Sequence, residues 1–281
     1  MKKTALLLSI WMGVLCVTVS QENRSPMLPA SPVNQATLLG VGKAFLNDSY
    51  LSPLQYGGIS LSLMHDRIQG TPCFNGNLLL QQQFLIQTAI TKNPTASASE
   101  YYGDLDYRLT GFYPLFAGSN LRLYGGAGWV ASLGGIYNVR NSNNPGSLKV
   151  SANLNLSAMA IYNWKILTFR WQLATPFAGM FFSPEYGHSY YEIFTLGNNK
   201  GTIHFGSFHN QQALRNYLSV DVPVYNMTLR AAYLGDYYNT RVNGLDTRII
   251  SHQFMVGLAV ESLNFGGKKV RGNPSLPSVY Y

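Results

Sequence analysis

Leu148-Lys149-Val150-Ser151-Ala152-Asn153-Leu154-Asn155-Leu156-Ser157-Ala158-Met159-Ala160-Ile161-Tyr162-Asn163-Trp164 is the stretch that decides the fold. Its even positions, from Leu148 through Val150, Ala152, Leu154, Leu156, Ala158, Ala160 and Tyr162 to Trp164, are apolar. Odd positions carry Lys149, Ser151, Asn153, Asn155, Ser157 and Asn163. A strand turns successive side chains to opposite faces, so the segment predicts one apolar and one polar face. It is also long enough to cross a bilayer at a tilt, which takes about 9–11 residues, and to project beyond it. Strands of soluble sandwiches average about five or six residues and turn their apolar side inward.

The pattern continues on both sides. Leu167, Phe169, Trp171, Leu173 and Phe177 oppose Thr168, Arg170 and Gln172. Leu214, Leu218, Val220, Val222 and Val224 oppose Arg215, Tyr217, Ser219 and Asp221, and Leu229, Ala231, Tyr233 and Tyr237 oppose Thr228, Arg230 and Asp236. A last run sets Ile250, Phe254, Val256, Leu258 and Val260 against Ser251, Gln253 and Glu261. With earlier runs at 38–47, 56–68, 77–91, 101–116 and 120–138, ten strands are predicted. Twelve would result if 188–196 and 201–208 paired as a hairpin.

Short links at 117–119, Lys165 and Asn226 alternate with long polar ones at 92–100, 139–147, 183–211 and 239–246. Transmembrane barrels place short turns on the periplasmic side and long loops outside. The expected fold is therefore all-β, a transmembrane antiparallel up-and-down β-barrel with both ends on the short-turn side. Aromatic residues near strand ends, Tyr162, Trp164, Phe181, Phe182, Tyr237 and Tyr238, suit an interfacial girdle.

Composition agrees with this class: 11% of the chain is charged and 46% hydrophobic, where soluble domains carry about a quarter charged residues. Met1-Lys2-Lys3, the apolar run from Ala5 to Val19 and the small residues ending at Ser20 read as a signal peptide over 1–20. Residues 21–36, with Pro26, Pro29 and Pro32, are expected as an extended periplasmic leader, 37–265 as the barrel, and 266–281 as a basic periplasmic tail. The location implied is the bacterial outer membrane. Leu15 before Cys16 does not suit a lipid anchor, and cleavage would leave Cys73 alone. One cysteine makes neither an internal disulfide nor a cysteine-based metal centre. Removing Lys2 and Lys3 leaves 18 basic against 12 acidic residues. That balance suits contact with outer-membrane lipid and lipopolysaccharide, and no basic cluster is dense enough to read as a nucleic-acid site. No cofactor or metal motif is expected.

The stretches Tyr50-Leu51-Ser52-Pro53-Leu54-Gln55-Tyr56-Gly57-Gly58 and Ser183-Pro184-Glu185-Tyr186-Gly187-His188-Ser189-Tyr190-Tyr191-Glu192-Ile193-Phe194 resemble segments of an uncharacterised outer-membrane barrel family of Bacteroidetes. The resemblance implies location and fold and supplies no reaction.

If the apolar face meets lipid, the other lines a lumen. Parity then assigns Asp66, Asp104, Asp106, Arg108, Arg122, Lys149, Arg170, Arg215, Asp221, Arg230, Asp236 and Glu261 to that lumen. A ten-stranded interior is only modestly wider than the eight-stranded one that side chains fill, so these charges are expected to pair. A narrow pore for small polar solutes is the alternative. A hydrolase at the outer mouth is another, with Asp104, Asp106 and Asp236 beneath His188, Ser189, His204 and His209. His65-Asp66 and Ser251-His252 are adjacent in strands, so their side chains diverge and make no dyad. The outer segment also concentrates Tyr186, Tyr190, Tyr191, Phe194, Phe205 and Phe208, rings suited to a glycan or protein ligand. The expected function is a structural or surface-binding barrel.

Overall fold

A computed structural model describes residues 32–142, 144–224, 227–263 and 268–269. The expected signal peptide, most of the leader and most of the tail lie outside these residues. The wall runs through β1 (Pro32–Asp48), β2 (Tyr56–Gly70), β3 (Leu79–Lys92), β4 (Ser99–Ala117), β5 (Leu121–Asn138), β6 (Gly146–Trp164) and β7 (Leu167–Phe182). It continues, past a short helix α1 (Tyr190–Phe194) and a short strand β8 (Ile203–Ser207), through β9 (Gln211–Val224), β10 (Met227–Val242) and β11 (Leu245–Leu263). Each wall strand pairs antiparallel with the next, and β1 closes on β11 from Pro32↔Leu263 to Asp48↔Thr247. The result is a closed ten-strand antiparallel barrel, as the alternation predicts.

The twelve-strand alternative is not realised. Residues 190–194 are helical and β8 pairs with the end of β7, Ala178↔Ser207 to Phe182↔Ile203, so no hairpin forms between 188–196 and 201–208. β1 begins at Pro32, so 32–36, read as leader, is wall. Lys268 and Lys269, read as extended tail, form β12 (Lys268–Lys269) against Ser262 and Leu263.

The largest difference in connectivity lies at 239–246, expected to be a long loop. There β10 and β11 meet in a tight turn, with Asn243 at φ 55° and Gly244 at φ 71°. Positive φ at both central residues is what a type I′ hairpin turn demands, and Asn-Gly supplies it at least cost. At the opposite end, links follow β4 at 118–120 and β6 at Lys165, which sits at φ 53°.

Outward faces are apolar: Leu39, Val41, Ile59, Leu61, Leu133, Leu154, Leu156, Val256 and Leu258 are all exposed. Tyr162 and Trp164 also point outward. Phe181 and Tyr238, expected in the same girdle, do not. The β6–β7 register shifts between Leu154 and Asn155, which face Ala178 and Pro176, so β7 gains a residue and reverses its parity. That reversal turns Phe181 inward, where it is buried against His204. Tyr238 lies on the inner parity of β10 and packs inside the mouth.

The interior is more apolar than the alternation suggests. Ala36, Leu38, Met64, Leu85, Tyr217, Leu234 and Met255 form one inward cluster. Ile68, Phe112, Tyr124, Met159 and Ile161 form a second toward the short-turn end. A third, with Leu46, Tyr50, Leu51, Tyr56, Ile136, Leu245 and Ile249, fills the long-loop mouth.

Candidate functional site

Among the described residues, ion pairs cross the lumen at three successive depths. Nearest the long loops, Lys149 Nζ lies 2.8 Å from Asp48 Oδ2 and donates to Thr247 Oγ1 at 3.0 Å. Lys149 stands on β6 and Asp48 on β1, five places apart around ten strands and so on opposite walls. Deeper, Arg215 on β9 donates to Asp106 on β4 at 2.9 Å and grips Asp236 through two bonds of 2.6 and 2.9 Å. Arg108 holds the same Asp106 through two further bonds. Nearest the short turns, Arg170 on β7 meets Asp66 on β2 at 2.5 Å, again across opposite walls.

Asp66 is the hub of that deepest layer. It also accepts from Arg230 at 3.3 Å and from Gln81 at 2.8 Å. Arg230 in turn holds Asp221 with bonds of 2.6 and 2.7 Å and donates to Asn34 Oδ1. Arg170 lies over the Tyr217 ring, 4.6 Å from its centroid, and Gln81 exchanges amide bonds with Gln172 across the lumen. The Arg170, Arg230, Asp66 and Asp221 side chains are at most 1% exposed. Charges so thoroughly desolvated persist only when paired and hydrogen-bonded. Arg122 stands on the inner parity of β5, and Glu261 is buried near the end of β11.

Two lumen acids escaped the parity assignment: Asp48, and Glu100, whose Oε1 accepts from Asn138. Both lie one residue beyond the expected strand ends, so carrying the alternation on from Leu46 or back from Tyr102 would have found them. Between the outer two pairs a cavity of about 100 Å³ is lined by Asp104, Ser132, Asn153, Asn155 and Gln211, among others. Its polar lining and size suit about three waters.

The residues of the hydrolase alternative do not converge. Asp106 and Asp236 are held by arginines, and Asp104 accepts from Ser132 at 2.7 Å. Ser189 is the N-cap of α1: its Oγ accepts from Glu192 N while Ser189 N donates to Glu192 Oε2. His188 contacts Asn198, His204 contacts Ser183 O and Asn243, and His209 contacts Ser207. No hydrogen bond or ion pair joins any of these three histidines to Asp104, Asp106 or Asp236 among the described residues. Of the doublets, His65 faces outward beside Thr37 while Asp66 is buried, and Ser251 is buried while His252 meets Tyr233 on the outer wall.

Beyond the rim, the aromatic segment divides. Tyr186, Tyr191, Phe194, Phe205 and Phe208 are each more than half exposed. Tyr190 turns down instead, meeting Tyr50 edge-on and stacking with Phe194. Its hydroxyl accepts from Leu148 N at 2.6 Å, while Tyr50 donates its own to His188 O at 2.6 Å. Burial among these rings pushes the Tyr50 phenol up to about 12. The Leu148 bond has a structural reason. β7 first meets β6 at Ser151↔Phe181, so Gly146–Val150 stand beyond the pairing and α1 fills the notch.

A family model described as a protein of unknown function (DUF3316) matches residues 6–269. No curated protein matches in sequence. Among solved structures, the outer-membrane protease OmpT of Escherichia coli is similar at 9% identity and TM-score 0.46, covering 85% of this chain and 99% of that one. The outer-membrane channel COG4313 of Pseudomonas putida F1 is similar at 10% identity and TM-score 0.38, covering 86% and 99%. The β domain of the Bordetella autotransporter BrkA matches at 11% identity and TM-score 0.39, covering 80% and 98%.

Proposed function

The chain belongs to the DUF3316 family of proteins of unknown function, and from that premise we propose a closed outer-membrane barrel whose work is done at its external rim. A signal peptide at 1–20 and a source among Bacteroidetes belong to the same proposal. The continuous outward belt of Leu, Ile and Val on strands of 14–19 residues supports the membrane setting, because water would leave that area unfavourably exposed. The observation that carries the function is the contrast between a lumen crossed by ion pairs on opposite walls and a loop that holds its aromatic rings outward. Flat amphipathic rings give contact area at little conformational cost, so recognition of lipopolysaccharide, a glycan or a protein partner is the activity this rim fits. The test compares binding of purified barrel and a 186–209 deletion to vesicles bearing lipopolysaccharide. Binding that disappears with the loop is expected, whereas equal binding by both proteins contradicts the reading.

A further inference from the structure

Outside the notch that α1 fills, the wall carries a groove of about 830 Å³. Its floor is made of glycine: Gly103 on β4, Gly135 on β5 and Gly146 at the start of β6. Tyr101 and Tyr137 stand over one side, and Tyr191 and Phe194 of α1 over the other. A Cβ at Gly103 or Gly146 would meet no atom within 4 Å, so the absent side chains leave open space rather than relieve crowding. The volume lies within the range of small-ligand sites, roughly 300–1,000 Å³.

The lining decides which ligand fits. Among the described residues, no Asp, Glu, Lys, Arg or His borders the groove. Of its polar groups, the Ser189 hydroxyl is occupied as the helix cap and the Tyr190 hydroxyl is occupied by Leu148 N. Other polar groups of the lining, the Tyr101, Tyr137 and Tyr191 hydroxyls, Ser147 and the Asn144 side chain, belong to a surface that is mostly apolar. Directly below it on the same strands, Leu105, Leu133 and Val150 are exposed and belong to the outward apolar belt. The groove is therefore continuous with the surface that meets hydrocarbon. We propose that it holds one acyl chain of an outer-leaflet lipid, seated on the glycine floor between the strand tyrosines and α1. This rests on the outer-membrane reading above and names a lipid as ligand for the same rim.

The test is native mass spectrometry of the barrel, purified in mild detergent and incubated with dioleoyl phosphatidylethanolamine. Wild-type protein is expected to retain one lipid through detergent removal. Gly103→Leu combined with Gly146→Leu fills the floor from positions where a side chain clashes with nothing, and retention should fall about tenfold. Leu133→Ala, on the belt below, should leave retention unchanged, and heat-modifiable gel migration would verify that each variant has folded. Equal retention by wild type and the double leucine variant overturns the proposal, as does a folded wild type that keeps no discrete lipid. Failure of the underlying membrane reading would look different: the folded chain would stay monodisperse without detergent.

Discussion

The lumen and the outer rim follow opposite rules. Inside, charged groups on opposite walls reach each other: Arg170 to Asp66 and Lys149 to Asp48 each span the barrel. At the rim, Tyr191 and Phe194 on a short helix, Phe205 on a short strand and Tyr186 before them are each more than half exposed. A desolvated ion needs its partner, so the paired charges of the interior cannot be removed singly without losing stability. Exposed rings carry no such debt. The difference teaches that in this barrel the lumen ion pairs, whose residues look functional in sequence, are engaged with one another, whereas the rings at the rim are exposed.

The strongest way to break that contrast is to remove the hub. Asp66→Ala takes away the carboxylate shared by Arg170 and Arg230, and breaking a buried pair in this way costs about 3–5 kcal/mol. Denaturant unfolding of the vesicle-inserted barrel should show it. Asp66→Leu with Arg170→Met removes both charges of the pair and should recover much of that loss. A smaller effect is expected for Asp48→Ala, because its partner Lys149 is 13% exposed and can find water. Loss there of about 1–2 kcal/mol, read in the same unfolding experiment, would mark the mouth as the softer layer.

Gly244→Ala sharpens the comparison from the rim. Gly244 occupies φ 71°, where a Cβ costs roughly 1–2 kcal/mol, so the β10–β11 hairpin should fray in amide exchange while the lumen stays protected. Smaller again is Tyr190→Phe, which takes the acceptor from Leu148 N and should cost about 1 kcal/mol, visible as faster exchange of that amide. The Tyr50 contact supplies a pH readout. Its phenol is neutral when donating to His188 O and its pKa is raised to about 12, so the contribution is complete below about pH 10 and is lost as pH rises through 12. Phenolate absorbance that titrates late in wild type, is missing from Tyr50→Phe and shifts back in Tyr190→Ala would report this contact.

Much of the wall was legible because lipid on one side and a packed lumen on the other impose the two-residue period directly. What alternation hid was the apolar part of the interior. Met159 and Ile161 sit at inward positions of β6, where hydrocarbon packs against hydrocarbon from other strands rather than against lipid. Parity also fails after Pro176, because one extra residue in β7 turns Phe181 in, and nothing in the local composition marks that register shift. The Asn243-Gly244 turn was readable and outweighed by the polarity of its flanks. Arg241 and Asp246, which pair across that turn at 2.7 Å, are strand-tip residues and not loop. Which lumen charges meet, and that among the described residues none of His188, His204 and His209 bonds to Asp104, Asp106 or Asp236, depended on the order of strands around the barrel. No single segment encodes that order.

Single-channel recording in planar bilayers tests the central claim most directly. With ion pairs bridging the walls at three depths, wild-type protein that has inserted and shows heat-modifiable migration is expected to give no steady conductance steps. Reproducible stepwise conductance from the folded wild type would mean that a continuous water path runs past Arg215 and Arg170, and the account of a closed lumen with its function at the rim would be wrong.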